Sequence, residues 1–280
     1  MNIIFTKMQG LGNDFVVIDT LAQAVNINEQ LVRKIAHRQT GIGCDQVLLV
    51  GLSDKPGVDF TYRIFNADGC EVGQCGNGAR CVAQFVRDKG YTDKTTIVLE
   101  TKERVLTATI DKSGIVSVDM GQPLFIPKDI PFLTHTQALT YTLTLPGITQ
   151  SVSMSVLSMG NPHAVIIVPN LQTTPVATLG ALIQEQPLFP QSVNVGFMQI
   201  DSLTHLQLRV YERGAGETLA CGSGACAAAV AAIMQGVCQS PVDVTLPGGT
   251  LTIAWPGKDH SVKMTGPAVS VFSGVFFEEQ

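Results

Sequence analysis

The chain has 280 residues, enough for two domains of ordinary size, and its 45% hydrophobic content argues for packed cores and against disorder. With 18 basic against 23 acidic residues and a net charge of -5, scattered without a basic stripe, it has no general attraction to nucleic acid or to an anionic membrane surface. No apolar run approaches the ~20 residues of a membrane helix, and the start Met-Asn-Ile-Ile-Phe-Thr-Lys turns polar too soon for a signal peptide. The expectation is a soluble cytoplasmic protein whose seven cysteines, an odd count, are thiols.

In chain order, short β-branched or alternating runs predict strands at Ile3–Lys7, Phe15–Asp19, Val47–Val50, Phe60–Asn66, Thr96–Glu100, Leu106–Ile110 and Val116–Asp119. A second set follows at Tyr141–Leu145, Val152–Leu157, Ala164–Val168, Val193–Ile200, Leu206–Tyr211, Val242–Leu246, Leu251–Trp255 and Val262–Thr265, with a last strand at Val269–Phe277. Asn28–Arg38 and Pro175–Gln186 read as exposed amphipathic helices. Gly76–Gly90 places Val82, Phe85 and Val86 at helical spacing. Gly222–Gly236 is apolar on all sides, so its helix must be surrounded by protein.

The two halves repeat each other. Arg63 through Ala79 lies over Arg209 through Ala225 without a gap, each with an Arg 12 positions before a cysteine (Cys75, Cys221) and a Glu (Glu71, Glu217) four before it. Gly12-Asn13 and Gly160-Asn161 both enter a strand, and Gln46 matches Asn194, each pair 148 positions apart. Collinear matches at this period indicate a duplicated domain. The predicted fold class is α+β: two pseudo-symmetric lobes, each a curled, mostly antiparallel, barrel-like sheet around a central helix. Residues 1–120 form the lobe with Cys75, joined by the last strand within 267–280; residues 121–266 form the lobe with Cys221.

A cysteine at a helix start sits among backbone N–H groups without helical partners and at the positive end of the helix dipole. Both favour thiolate over thiol and predict a pKa lowered from about 8.5 toward 7. The neighbouring glycines leave those amides open to an anion. Two such thiols across one small cavity repel as thiolates, so the pair tends toward one thiolate and one thiol. That is a general base opposite a general acid, able to invert a carbon held between them, with the enolate-like charge stabilised by the helix starts. No cofactor is demanded.

Gly10-Leu-Gly-Asn13-Asp-Phe, Phe65-Asn66-Ala-Asp-Gly, Gln74-Cys75-Gly-Asn77-Gly-Ala-Arg, Gly160-Asn161-Pro-His163, Val193-Asn194-Val and Tyr211-Glu212-Arg213 through Cys221-Gly-Ser223-Gly closely resemble the diaminopimelate epimerase family. The resemblance runs from the first ten residues to the last strand. It implies interconversion of L,L- and meso-diaminopimelate without pyridoxal phosphate, on the route to lysine and peptidoglycan. It implies Cys75 and Cys221 as the acid/base pair, with Asn13, Gln46, Gly76, Asn77, Gly222 and Ser223 around the reacting centre. Asn66, Asn161, Asn194 and Arg213 would hold the distal amino-acid end, Arg213 as a fork for its carboxylate. His163 and Glu212 would support the thiols or bind the reacting ammonium. The family also implies a homodimer.

Competing readings are weaker. Cys81, Cys226 and Cys238 read as packing. Cys70, Cys75 and Cys81 lack the tight spacing and second set of a zinc site, and no Gly-rich loop completes a dinucleotide or Walker pattern. A proline racemase-like substrate would keep the scaffold and thiols, but Arg213 with Asn66, Asn161 and Asn194 argues for a second amino-acid end over a ring. A dithiol redox or metal-binding protein is the alternative outside the epimerases. Glu71 and Glu217 read equally well as structural contacts.

Overall fold

A computed structural model describes residues 2–73, 75–148 and 151–278; Gln74 of the cysteine motif lies outside them. The chain divides into two compact units, Met1–Asp119 with Thr265–Gln280, and Met120–Met264.

In the first lobe, β1 (Asn2–Gly10) and β2 (Asn13–Asp19) form a hairpin, and β2 runs parallel to β3 (Gln46–Leu52). The β2–β3 crossover carries α1 (Glu29–Ala36), capped by Asn28, whose side chain accepts from Leu31 N at 2.9 Å. β3 is antiparallel to β4 (Phe60–Asn66), which pairs with the short β5 (Glu71–Val72) and, in parallel, with β6 (Thr96–Glu100). The antiparallel strands β7 (Val105–Ile110) and β8 (Val116–Asp119) follow. The crossover from β5 to β6 is α2 (Gly76–Asp88), which packs against β1, β2, β3, β6, β7 and β8 and so forms the axis of the curled sheet. Val82, Phe85 and Val86 are buried there, as their spacing predicts.

The second lobe repeats this order. β9 (Tyr141–Leu143) and β10 (Val152–Ser158) are antiparallel, and β10 is antiparallel to β11 (Pro162–Ile167). After α3 (Val176–Gln184), β12 (Asn194–Ser202) runs parallel to β11 and antiparallel to β13 (His205–Glu212). β13 takes β14 (Gly216–Thr218) antiparallel and β15 (Val242–Leu246) parallel, and β16 (Gly249–Ala254) closes on β15. The axis is α4 (Gly222–Met234), with its residues from Ala225 to Ala232 buried. Its alanines lie flush with the surrounding strands, which explains an all-apolar helix. β17 (Lys263–Gly266) then returns the chain to the first unit.

The duplication extends to register. Ile64 faces Val72 and Phe65 faces Glu71; Val210 faces Thr218 and Tyr211 faces Glu217, each residue 146 positions on. Phe15 faces Gln46 as His163 faces Asn194, each 148 on. The final strand, β18 (Val269–Phe277), pairs antiparallel with β1 and fills in the first lobe the slot beside β1 that β9 fills beside β10.

Two features differ from expectation. The strands β5 and β14, two and three residues long, are too short to carry a pattern. The helix α1 is shorter than predicted and less exposed: Leu31, Val32, Ile35 and Ala36 bury against Ile3, Phe5, Val16 and Ile18 of the sheet. The repeated Arg and Glu are structural clamps. Arg63 donates Nε and Nη2 to Glu71 at 2.9 and 2.9 Å, and Arg209 does the same to Glu217 at 2.6 and 2.9 Å.

These clamps are partly exposed to solvent, whereas Phe85 is 2% exposed. Phe85→Ala is expected to cost about 3–5 kcal/mol in urea unfolding of the first lobe, and Glu71→Gln less than about 1 kcal/mol. A larger cost for the glutamate would contradict this ranking.

Candidate active site

Both cysteines are helix N-caps. Cys75 (φ -150) and Cys221 (φ -117) are extended, and each Sγ accepts from the N–H three residues on, Gly78 N and Gly224 N, both at 3.3 Å. A thiol thus occupies the place usually taken by Ser, Thr, Asp or Asn. A side chain at that third position would crowd the sulfur in the second lobe and only touch it in the first. A Cβ on Gly224 would lie 3.1 Å from Cys221 Sγ, and one on Gly78 would lie 3.5 Å from Cys75 Sγ and 3.4 Å from Cys75 Cβ. The amides of Gly76 and Asn77, and of Gly222 and Ser223, belong to the first helical positions, which have no acceptor within the helix.

In the first lobe four of the candidate residues form two hydrogen-bonded pairs, one of them involving Asn77 in the first turn of the helix that Cys75 caps. Gln46 and Asn66 face each other across β3 and β4, with Gln46 Nε2 donating to Asn66 Oδ1 at 2.9 Å. Gln46 Oε1 is buried without a hydrogen-bond partner among the described residues. Asn13, at the start of β2, accepts on Oδ1 from Asn77 Nδ2 at 3.2 Å and donates Nδ2 to Asp45 Oδ2 at 2.8 Å. Asp45 also accepts from Arg38, which together with Lys7 grips Asp14. Burial alone would raise the Asp14 carboxyl, but hydrogen bonds from Arg38 and Lys7 outweigh it and hold the group at about 2. Beneath the helix start, the buried Tyr62 donates its hydroxyl to the Cys75 carbonyl at 3.2 Å.

In the second lobe, Asn161, His163, Asn194, Glu212 and Arg213 lie at or next to strand ends and Gly222 and Ser223 open α4; of these Glu212 and Ser223 act on Cys221. His163, on β11, is 1% exposed, and its Nε2 lies 3.0 Å from Asn161 Oδ1. Since that oxygen can only accept, Nε2 carries the proton and Nδ1 is a lone pair, buried without a hydrogen-bond partner among the described residues. Burial, aided by the positive Arg213, pushes His163 down to about 3, so the ring is neutral. Asn194 Oδ1 accepts from Arg213 N at 2.8 Å, and the exposed Arg213 guanidinium is steadied by Gln191 O at 2.8 Å. Glu212 accepts from the Thr218 hydroxyl.

The two thiols are not equivalent. Cys221 is 4% exposed, and burial first, then the negative charge of Glu212, push its thiol well above the ordinary value. Ser223 and the Gly224 N–H pull in the opposite direction and do not prevail. The expected lowering at a helix start therefore fails for Cys221: a partial charge at the helix end is weaker than full burial beside a carboxylate. All seven cysteines are free, and Cys81, Cys226 and Cys238 are buried packing, as predicted. Sequence reasoning missed Tyr62, Asp45, Thr218 and Arg80. Of these, Arg80 and Thr218 stood inside conspicuous motifs.

A family profile described as diaminopimelate epimerase matches residues 5–126 and 155–271. Among curated relatives, the chain is similar to the diaminopimelate epimerases of Nitrosomonas europaea, 54% identical over 276 residues covering 98% of each chain, and of Azotobacter vinelandii, 54% identical over 274 residues covering 98% of this chain and 99% of the relative. Among solved structures the fold resembles a probable proline racemase from Agrobacterium radiobacter (TM-score 0.73, 16% identity, 97% and 92% of the two chains) and a hydroxyproline epimerase from Agrobacterium vitis (TM-score 0.71, 14% identity, 98% and 92%).

Glu212→Gln removes one of the two causes that raise Cys221. The pH midpoint for its alkylation by iodoacetamide is therefore expected to move to lower pH, with that of Cys75 unchanged. A midpoint that stays or rises would contradict the role given to Glu212.

Proposed function

As a member of the diaminopimelate epimerase family, this chain is an amino-acid epimerase that interconverts L,L- and meso-diaminopimelate, and we propose that Cys75 and Cys221 are its acid–base pair. The observation that carries this reading is the doubled N-cap: each lobe bears a thiol whose sulfur accepts from its own helix start. One sulfur, as thiolate, takes the proton from Cα; the other, as thiol, returns a proton to the opposite face, and the configuration inverts. Burial beside Glu212 supports Cys221 as the protonated partner in the resting protein. The helix-start amides at Gly76, Asn77, Gly222 and Ser223 stabilise the carboxylate as it gains enolate character, with Asn13 and Gln46 beside the reacting centre.

The distal amino-acid end is held by Asn66, Asn161, Asn194 and Arg213. The Gln191 carbonyl aims the Arg213 guanidinium, supporting an open-chain substrate with a second carboxylate over a ring. His163, neutral with a bare Nδ1, is an acceptor suited to the reacting ammonium, and Glu212 is its anionic partner. The chemistry belongs to a reducing cytoplasm, where free thiols persist. The protein acts as a homodimer. The exposed apolar side chains of β18, Val269, Val271, Phe272, Val275 and Phe277, with Ile4 of β1, supply a surface that a second copy would cover.

In D2O with L,L-diaminopimelate and no added cofactor, deuterium should enter one Cα as the meso isomer appears. Cys75→Ser and Cys221→Ser should each lose at least roughly 10²–10⁴-fold in rate with the fold retained; a variant near the wild-type rate would sink the acid–base pair. Phe272→Asp should yield a monomer in sedimentation, and an unchanged sedimentation coefficient would remove β18 from the dimer surface.

A further inference from the structure

The most unusual buried group near Cys75 is Arg80, the fifth residue of α2, fully buried at 0% exposure. Its Nη1 donates to Asn77 Oδ1 at 3.0 Å and its Nε to Pro267 O at 3.2 Å, just before β18. The guanidinium also lies against Gly10: a Cβ there would sit 3.0 Å from Nη2 and 3.8 Å from Cζ. One side chain therefore touches the β1–β2 turn, the first turn of α2 and the segment leading into the last strand.

The turn it leans on is a constrained one. Gly10 pairs with Asn13 across Leu11 (φ 58) and Gly12 (φ 84), both left-handed. A leucine in that region costs roughly 1–2 kcal/mol and persists only where its surroundings impose it. Leu11 is buried, and Arg80 packs beside it on Gly10.

The hydrogen bonds run in one direction. Arg80 can only donate, so Asn77 must turn Oδ1 toward it and Nδ2 toward Asn13. Asn13 then presents Oδ1 to Asn77 and Nδ2 to the Asp45 carboxylate, which can only accept. A donor-only group at one end and an acceptor-only group at the other fix both amides. The second lobe has no such chain at the matching positions: Arg80 corresponds to Cys226, Asn77 to Ser223 and Asp45 to Val193.

We propose that Arg80 is a positioning residue that clamps the Gly10–Asn13 turn to the start of α2, fixing the Asn13–Asn77 amide pair and with it the geometry and reactivity of the Cys75 thiol, but not of Cys221. This rests on the reading of Cys75 as a reacting group, so the main readout is one that needs no turnover: the alkylation rate of each cysteine by iodoacetamide, resolved by peptide mass spectrometry across pH 6–10. In Arg80→Met with the wild-type circular dichroism spectrum, Cys75 should react about tenfold more slowly at neutral pH. Cys221 should stay within about twofold of wild type. Epimerisation should lose up to about 10²-fold in kcat, with a smaller change in KM.

Arg80→Lys should recover part of both effects. Gly10→Ala, which displaces the guanidinium without altering either asparagine, should reproduce them in milder form, and the two together decide the matter if Arg80→Met does not fold. An unchanged Cys75 rate, or equal shifts at both cysteines, would overturn the clamp. A wild-type protein without epimerase activity would refute the functional reading and leave the alkylation test standing.

Discussion

Everything around the candidate site depends on a sulfur taking a backbone N–H at a helix start. A thiol is a weak acceptor with a longer reach than a hydroxyl, and glycine stands three residues on in each lobe, where a side chain would be tight against the sulfur at Gly224 and in ordinary contact at Gly78. Each cysteine thereby marks the start of the helix around which its sheet curls. The helix must then be buried on all sides, since seven strands of the first lobe pack on α2 and six of the second on α4. The alanine-rich face of α4 and the mixed face of α2 are two solutions to the same enclosure.

Those two solutions divide the labour. Behind Cys75 stand Tyr62, Arg80 and Asn77; at the matching places behind Cys221 stand Leu208, Cys226 and Ser223. The first lobe is braced by three polar side chains, whereas the second has the apolar Leu208 and Cys226 at two of the three positions. The second lobe instead puts a charge beside its thiol, where Glu212 stands at the position of Asn66 and raises Cys221. Duplication supplied two similar frames, and divergence in a handful of buried positions made their thiols chemically unlike.

Most of the frame was legible in the residues. Strands such as Phe60–Asn66 and Val242–Leu246 carry their pattern openly, and the collinear repeat by itself announces two lobes. What the residues hid were effects decided by tertiary surroundings. The helix start alone suggested a lowered Cys221, because nothing in the local sequence states that the thiol is fully enclosed beside Glu212. The role of Asp45 was hidden because it reaches Asn13 across a β–α–β crossover, and the partner of Arg80 at Pro267 is 187 residues away. Glu71 could not be told from a functional acid until its bidentate bond to Arg63 was seen.

The pairing of β18 with β1 has a consequence for how the molecule comes into being. The second lobe is built from one unbroken stretch and can complete its sheet as soon as that stretch has left the ribosome. The first lobe, although synthesised earlier, waits for residues 269–277 to cover β1, and Arg80 waits for Pro267. Its thiol frame is therefore the last part of the protein to be finished, and a nascent chain halted before this strand would carry a closed second lobe beside an open first one.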